Sequence, residues 1–120
     1  MACTDQDIAV AAQLCYATPW SSTNQTKGGD SFKIDPDHID DWVRYVDRVV
    51  QFLVRPPYSV RFFQVWNENW GWSRSNSDYM RMVHIPAARK IRELGGKVVY
   101  GGWPSDTSLF GLFDSLDRAP

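Results

Sequence analysis

The sequence predicts an α/β fold of parallel strands alternating with helices, and three observations carry it. Short apolar runs alternate with longer amphipathic ones in the order strand, helix, strand, helix, strand. Turn-forming residues separate them, and no repeat or low-complexity tract interrupts the pattern. Successive strands joined through helices call for right-handed crossovers and a parallel sheet covered by its helices. With 120 residues, the chain suits one modest domain.

Ile8 to Tyr16, IAVAAQLCY, is the first strand, and its nearly continuous apolar character predicts burial on both faces. Residues 21–30, SSTNQTKGGD, are polar and read as an exposed connection. Asp35 followed by Pro36 marks a helix start, with Asp37 placing negative charge in the first turn. Ile39, Trp42, Val43, Val46, Val49, Val50 and Leu53 then recur at three- and four-residue steps. Pro56-Pro57 ends that helix. Val60 to Trp66, VRFFQVW, is the second strand.

Asp78 to Leu94 carries the second helical pattern through Tyr79, Met82, Val83, Ala87, Ile91 and Leu94, with Ser77 as its cap. Pro86 falls inside this run and should kink or divide it. Gly95-Gly96 supplies a left-handed end. Lys97 to Gly102 is the third strand, and residues 109–116 could open another helix.

Thirteen Lys and Arg face fourteen Asp and Glu, scattered rather than striped, which argues against a nucleic-acid partner. No apolar run approaches the roughly 20 residues that span a bilayer, and a secretory leader is not expected from MACTDQDIAV. Cys3 and Cys15 do not make a disulfide framework, and Cys15 reads as a small buried thiol. His38 and His84 fall on helices without a partner at metal spacing, so each reads as satisfied or solvent-exposed. No metal and no cofactor are expected. Asp37, Asp40, Asp41 and Asp47 mix with Arg44 and Arg48 as a solvated face with local ion pairs.

In parallel sheets, ligands gather where strands end and helices have yet to begin. Trp20 follows the first strand, Asn67, Glu68, Trp70 and Trp72 follow the second, and Trp103 follows the third. Glu68 is one of only two glutamates. A carboxyl behind an apolar strand and among aromatics is partly desolvated, which raises its pKa toward that of a general acid. Indoles present flat faces to the C–H faces of sugars, and Asn67 can donate to and accept from a hydroxyl. The bland alternative is that Glu68 caps its loop and the tryptophans plug the end of the sheet.

The stretch FFQVWNENWGWS, residues 62–73, resembles the fourth-strand signature of clan A glycoside hydrolases, nearest to the β-xylosidase-like and related groups. A looser resemblance extends over most of the chain, from IAVAAQLCYATPW through KVVYGGWP. It implies a partial (β/α)8 TIM barrel, residues 1–120 forming a single incomplete domain of about half a barrel. It implies that Glu68 is the acid/base of a retaining glycosidase and that Asn67 binds the hydroxyl beside the anomeric carbon. Trp20, Trp70, Trp72 and Trp103 are sugar platforms by loop placement, not by family position.

Retention needs a second carboxylate about 5 Å from the first, and the resemblance places it at the end of the seventh strand, whereas this chain is expected to end near the fifth. Glu93, near the end of a helix antiparallel to the strands, should lie at the far rim. The chain alone is therefore expected to be inactive, the central piece of a larger hydrolase. Its open sheet edges call for self-association or a complementing chain. A carbohydrate-binding or assembly unit without turnover is the alternative, and an unrelated α/β domain with an incidental Asn-Glu is a third.

Overall fold

The computed structural model describes residues 7–15, 17–21, 34–67 and 76–101. Three short strands, β1 (Ala11–Leu14), β2 (Phe62–Val65) and β3 (Lys97–Tyr100), form a parallel sheet in the order β1-β2-β3. Helix α1 (Ile39–Leu53) connects the first pair. The second connection holds α2 (Asn76–Tyr79), a π-helical stretch over Met80–His84 and α3 (Ile85–Glu93). The domain is therefore α/β with parallel strands, as the alternation of patterns predicts.

The register aligns Ala12, Phe63 and Val98 in one row and Leu14, Val65 and Tyr100 in another. Leu14, Phe63 and Val65 are fully buried against Val46 and Val50 of α1, Val83, and Ile91 of α3. Each such side chain contributes roughly 2 kcal/mol of burial. The alternate rows, Ala11-Phe62-Lys97 and Gln13-Gln64-Val99, face away from the helices. Ala11, Gln13, Phe62 and Lys97 are exposed there. The expectation of a first strand buried on both faces is thus corrected: both helices pack together on one face of the sheet, and on the other only Gln64 and Val99 are half-buried.

The stripe of α1 is realised, with Trp42, Val46 and Val50 buried and Ile39, Val43, Val49 and Leu53 flanking them. Its start differs from the expected cap. Pro36–His38 form a 3₁₀ turn ahead of the helix, and the Asp35 side chain makes no capping hydrogen bond. A single turn of tighter helix lets the proline enter without a donor. Ser77 likewise lies inside the first turn of α2 rather than ahead of it.

Pro86 divides the second helical run, as expected of a residue that has no N–H for the turn before it. The widened turn over Met80–His84 absorbs the mismatch, and α3 restarts with Pro86 in its first turn. The extra width buries Met80 and His84 together with Tyr79, Val83 and Ala87. His84 is therefore neither exposed nor satisfied: its Nδ1 is buried without a hydrogen-bond partner among the described residues.

Gly95 ends α3 at φ +85°, the left-handed conformation that glycine adopts at no steric cost. Gly96 is needed for space instead. A Cβ there would lie 2.8 Å from Ile91 Cγ2 and 2.9 Å from Phe63 Cδ2. Of the acidic face of α1, Asp41 pairs with Arg44 at 2.6 Å, as expected of a local ion pair. Asp47 instead reaches across to Lys90 of α3 at 3.9 Å and accepts from Gln51. The expected helix at 109–116 lies outside the described residues.

Candidate functional site

The carboxyl edge of the sheet is organised by Trp66, the residue after β2. Its φ of +61° is rare for a bulky side chain and marks a conformation that the surroundings impose. Those surroundings are visible. The Trp66 amide donates to the Leu14 carbonyl at 2.7 Å, the Gln64 side-chain amide donates to the Trp66 carbonyl at 3.0 Å, and the buried indole meets Trp42 edge-on at 5.6 Å. The turn redirects the chain as it leaves the sheet, and Asn67 follows half-buried. Gly101, just past β3, allows this exit to sit close: a Cβ there would lie 3.1 Å from the Trp66 carbonyl oxygen.

Beside the same edge stand Tyr79, His84 and Tyr100. The Tyr79 hydroxyl donates to the Val65 carbonyl at 3.1 Å, and burial pushes its phenol pKa far up. His84 stacks on Tyr100, with ring centroids 4.8 Å apart and planes within 9°. Burial, with a smaller contribution from the Arg92 charge, lowers the His84 pKa to about 4. The imidazole is thus neutral at physiological pH.

Trp20 lies elsewhere on this edge, in a short 3₁₀ turn over Pro19–Ser21 after β1. The Thr18 amide donates to Ser21 Oγ at 3.0 Å, and the Asp35 amide donates to the Ser21 carbonyl at 3.0 Å. These bonds bring the turn against the start of α1. Trp20 is 64% exposed and meets the His38 ring edge-on at 5.4 Å. Together with Cys15, Tyr45 and Trp42 they line a cleft of about 240 Å³. His38 Nδ1 is 2.9 Å from Asp41 Oδ2. The hydrogen bonds from His38 and Arg44 hold the Asp41 carboxyl below the usual carboxylate range. Burial raises the Cys15 thiol and the Tyr45 phenol, so neither is primed as a nucleophile.

Of the six residues expected at the site, the structure describes two. Asn67 and Trp20 both occupy the carboxyl edge, after β2 and β1, and no hydrogen bond joins them. Glu68, Trp70, Trp72 and Trp103 lie outside the described residues. Glu93 is exposed at the end of α3 and bonded to Lys90 at 2.8 Å, on the opposite rim as expected. Sequence reasoning read His38 and His84 as satisfied or solvent-exposed and Asp41 as part of a solvated face, and placed none of them at the site. An i,i+3 His-x-x-Asp at a helix start was a legible signal for the His38–Asp41 pair, whereas the π-helical turn that buries His84 leaves no local mark.

Among the described residues, no three His, Cys, Asp or Glu side chains gather as a metal site, and no helix is long and apolar enough to cross a membrane. What the arrangement defines is a parallel α/β domain whose strand exits form a structured edge. Compared with protein-family models, curated proteins and solved structures, the chain gives no match.

Proposed function

We propose that this chain is a piece of a retaining O-glycoside hydrolase built on a clan A (β/α)8 barrel, with Glu68 as general acid/base and Asn67 as a ligand of the substrate hydroxyl. The observation that carries the reading is the constrained exit of β2, where Trp66 turns the chain and delivers Asn67 at the carboxyl edge immediately before Glu68. The order β1-β2-β3 with helices on one face also suits a segment of barrel wall. On that reading the uncovered rows around Gln13, Phe62, Gln64 and Lys97 line the barrel interior.

In this mechanism Glu68 protonates the departing glycosidic oxygen and then activates water against a glycosyl-enzyme intermediate. The nucleophile is a second carboxylate that Glu93, held by Lys90 at the far rim, does not provide. A complementing chain or a second copy of this one closes the wall and covers the bare face.

The test measures binding of oligosaccharides and turnover of chromogenic aryl glycosides, with Glu68→Gln beside the unmodified protein. Sugar binding retained in Glu68→Gln, with any turnover reduced at least 10²-fold, supports the reading. Binding without turnover is expected of either protein alone, since the nucleophile is missing; turnover that appears on adding a complementing chain and is lost in Glu68→Gln separates the hydrolase piece from a carbohydrate-binding unit. Undiminished turnover in Glu68→Gln, or absence of sugar binding, overturns it.

A further inference from the structure

We infer that the cleft between the Trp20 turn and α1 is a binding site for a small free hydroxyarene, a single aromatic ring carrying an unblocked phenolic hydroxyl. Its volume of about 240 Å³ exceeds the roughly 150 Å³ cavity that suffices for benzene, so it admits one ring with small substituents. The walls are aromatic. Trp42 and Tyr45 stack with planes 29° apart at 5.7 Å, and Trp20 stands edge-on to His38 at the mouth. A flat ring finds offset and edge contacts there that a puckered apolar group would not.

The polar groups of the cleft select the hydroxyl. Asp41, kept ionised by Arg44 and His38, accepts the hydrogen on His38 Nδ1 and so fixes the tautomer with a lone pair on Nε2. That nitrogen has no hydrogen-bond partner among the described residues. A phenol is a markedly stronger donor than an aliphatic alcohol, with a pKa near 10, and it complements the Nε2 lone pair of that tautomer. A sugar is a poorer fit for this cleft because its ring of hydroxyls needs polar partners all around. The Thr18 and Ser21 hydroxyls already engage one another at 3.1 Å.

This cleft shares Trp20 with the expected sugar platforms but does not depend on Glu68. The experiment titrates the full chain with 4-methylphenol and with 4-methylanisole, the same ring with its oxygen blocked as in an aryl glycoside. Ligand NMR and tryptophan emission report binding, and circular dichroism checks the fold of each variant. The expected result is saturable binding of the phenol about tenfold tighter than the anisole. His38→Leu brings the two ligands level, Trp20→Ala weakens both about tenfold, and Glu68→Gln changes neither. The inference is overturned if the phenol does not saturate, or if phenol and anisole bind alike to the unmodified protein. It also fails if His38→Leu, folded, preserves the tenfold preference, or if xylose or glucose displaces the phenol at comparable concentration. Should His38→Leu not fold, the phenol-to-anisole ratio in the unmodified protein and the response of Trp20→Ala decide.

Discussion

Phe62 and Phe63 are adjacent, chemically identical and opposite in fate. Phe63 is fully buried under Ile91 and Gly96, whereas Phe62 is 38% exposed on the bare face, with the Lys97 ammonium 5.7 Å above its ring. The two faces of one strand thus have different tasks. The helix-covered face holds these elements together, and among the described residues the other carries no helix. All-parallel sheets normally bury both faces, and among the described residues only one face of this sheet carries helices.

The largest test of that contrast is Phe63→Ala, which should cost about 4 kcal/mol by removing a buried ring and leaving a cavity. Chemical denaturation should show loss of the cooperative transition or a midpoint displaced by that amount. A cost below about 1 kcal/mol would mean that the helices do not pack on β2 as described.

Acid should be nearly as damaging to the covered side. The folded-state pKa of His84 falls from an ordinary 6.5 to about 4. Between those values the unfolded chain binds a proton that the native one does not, so stability is complete above about pH 6.5 and drains as the pH falls toward 4. At about 1.4 kcal/mol per pH unit, the loss amounts to about 3 kcal/mol. Urea midpoints measured from pH 7 to pH 4 should show it, and His84→Phe should flatten this part of the profile.

Gly96→Ala should cost about 2 kcal/mol, because the new methyl overlaps Ile91 and Phe63 in a filled space. A tolerated alanine would show that α3 can lift from the sheet. The smallest expected effect on stability is that of Phe62→Ser, within about 0.5 kcal/mol. It should nevertheless weaken self-association detectably in sedimentation, since the bare face is where an added copy would bury apolar surface. If Phe62→Ser unfolds the chain instead, the two faces are not as unequal as their exposures say.

These asymmetries explain what the sequence could reveal. The period of Trp42, Val46 and Val50 is a local property, and so are the left-handed Gly95 and the alternation of strand with helix; each was readable directly. Which face of FFQV is covered was not, because both faces carry phenylalanine and the choice depends on helices distant in sequence. Pro86 announced a division but not its form, since a π-helical turn differs from a kink only in hydrogen-bond register. The cleft was hidden for another reason: Cys15, Trp20, His38 and Asp41 come from two segments that meet through the Ser21–Asp35 backbone bond. Of the candidate sugar site, Asn67 and Trp20 were legible as strand-exit positions, while Glu68 rests on its sequence context.

The strand order has a consequence for synthesis on the ribosome. Each strand hydrogen-bonds to the one before it in the chain, so no early segment must wait for a distant late one before it can dock. β1, α1 and β2 can assemble as a nascent unit while the rest is still being translated. Among the described residues no strand pairs with the outer edge of β3.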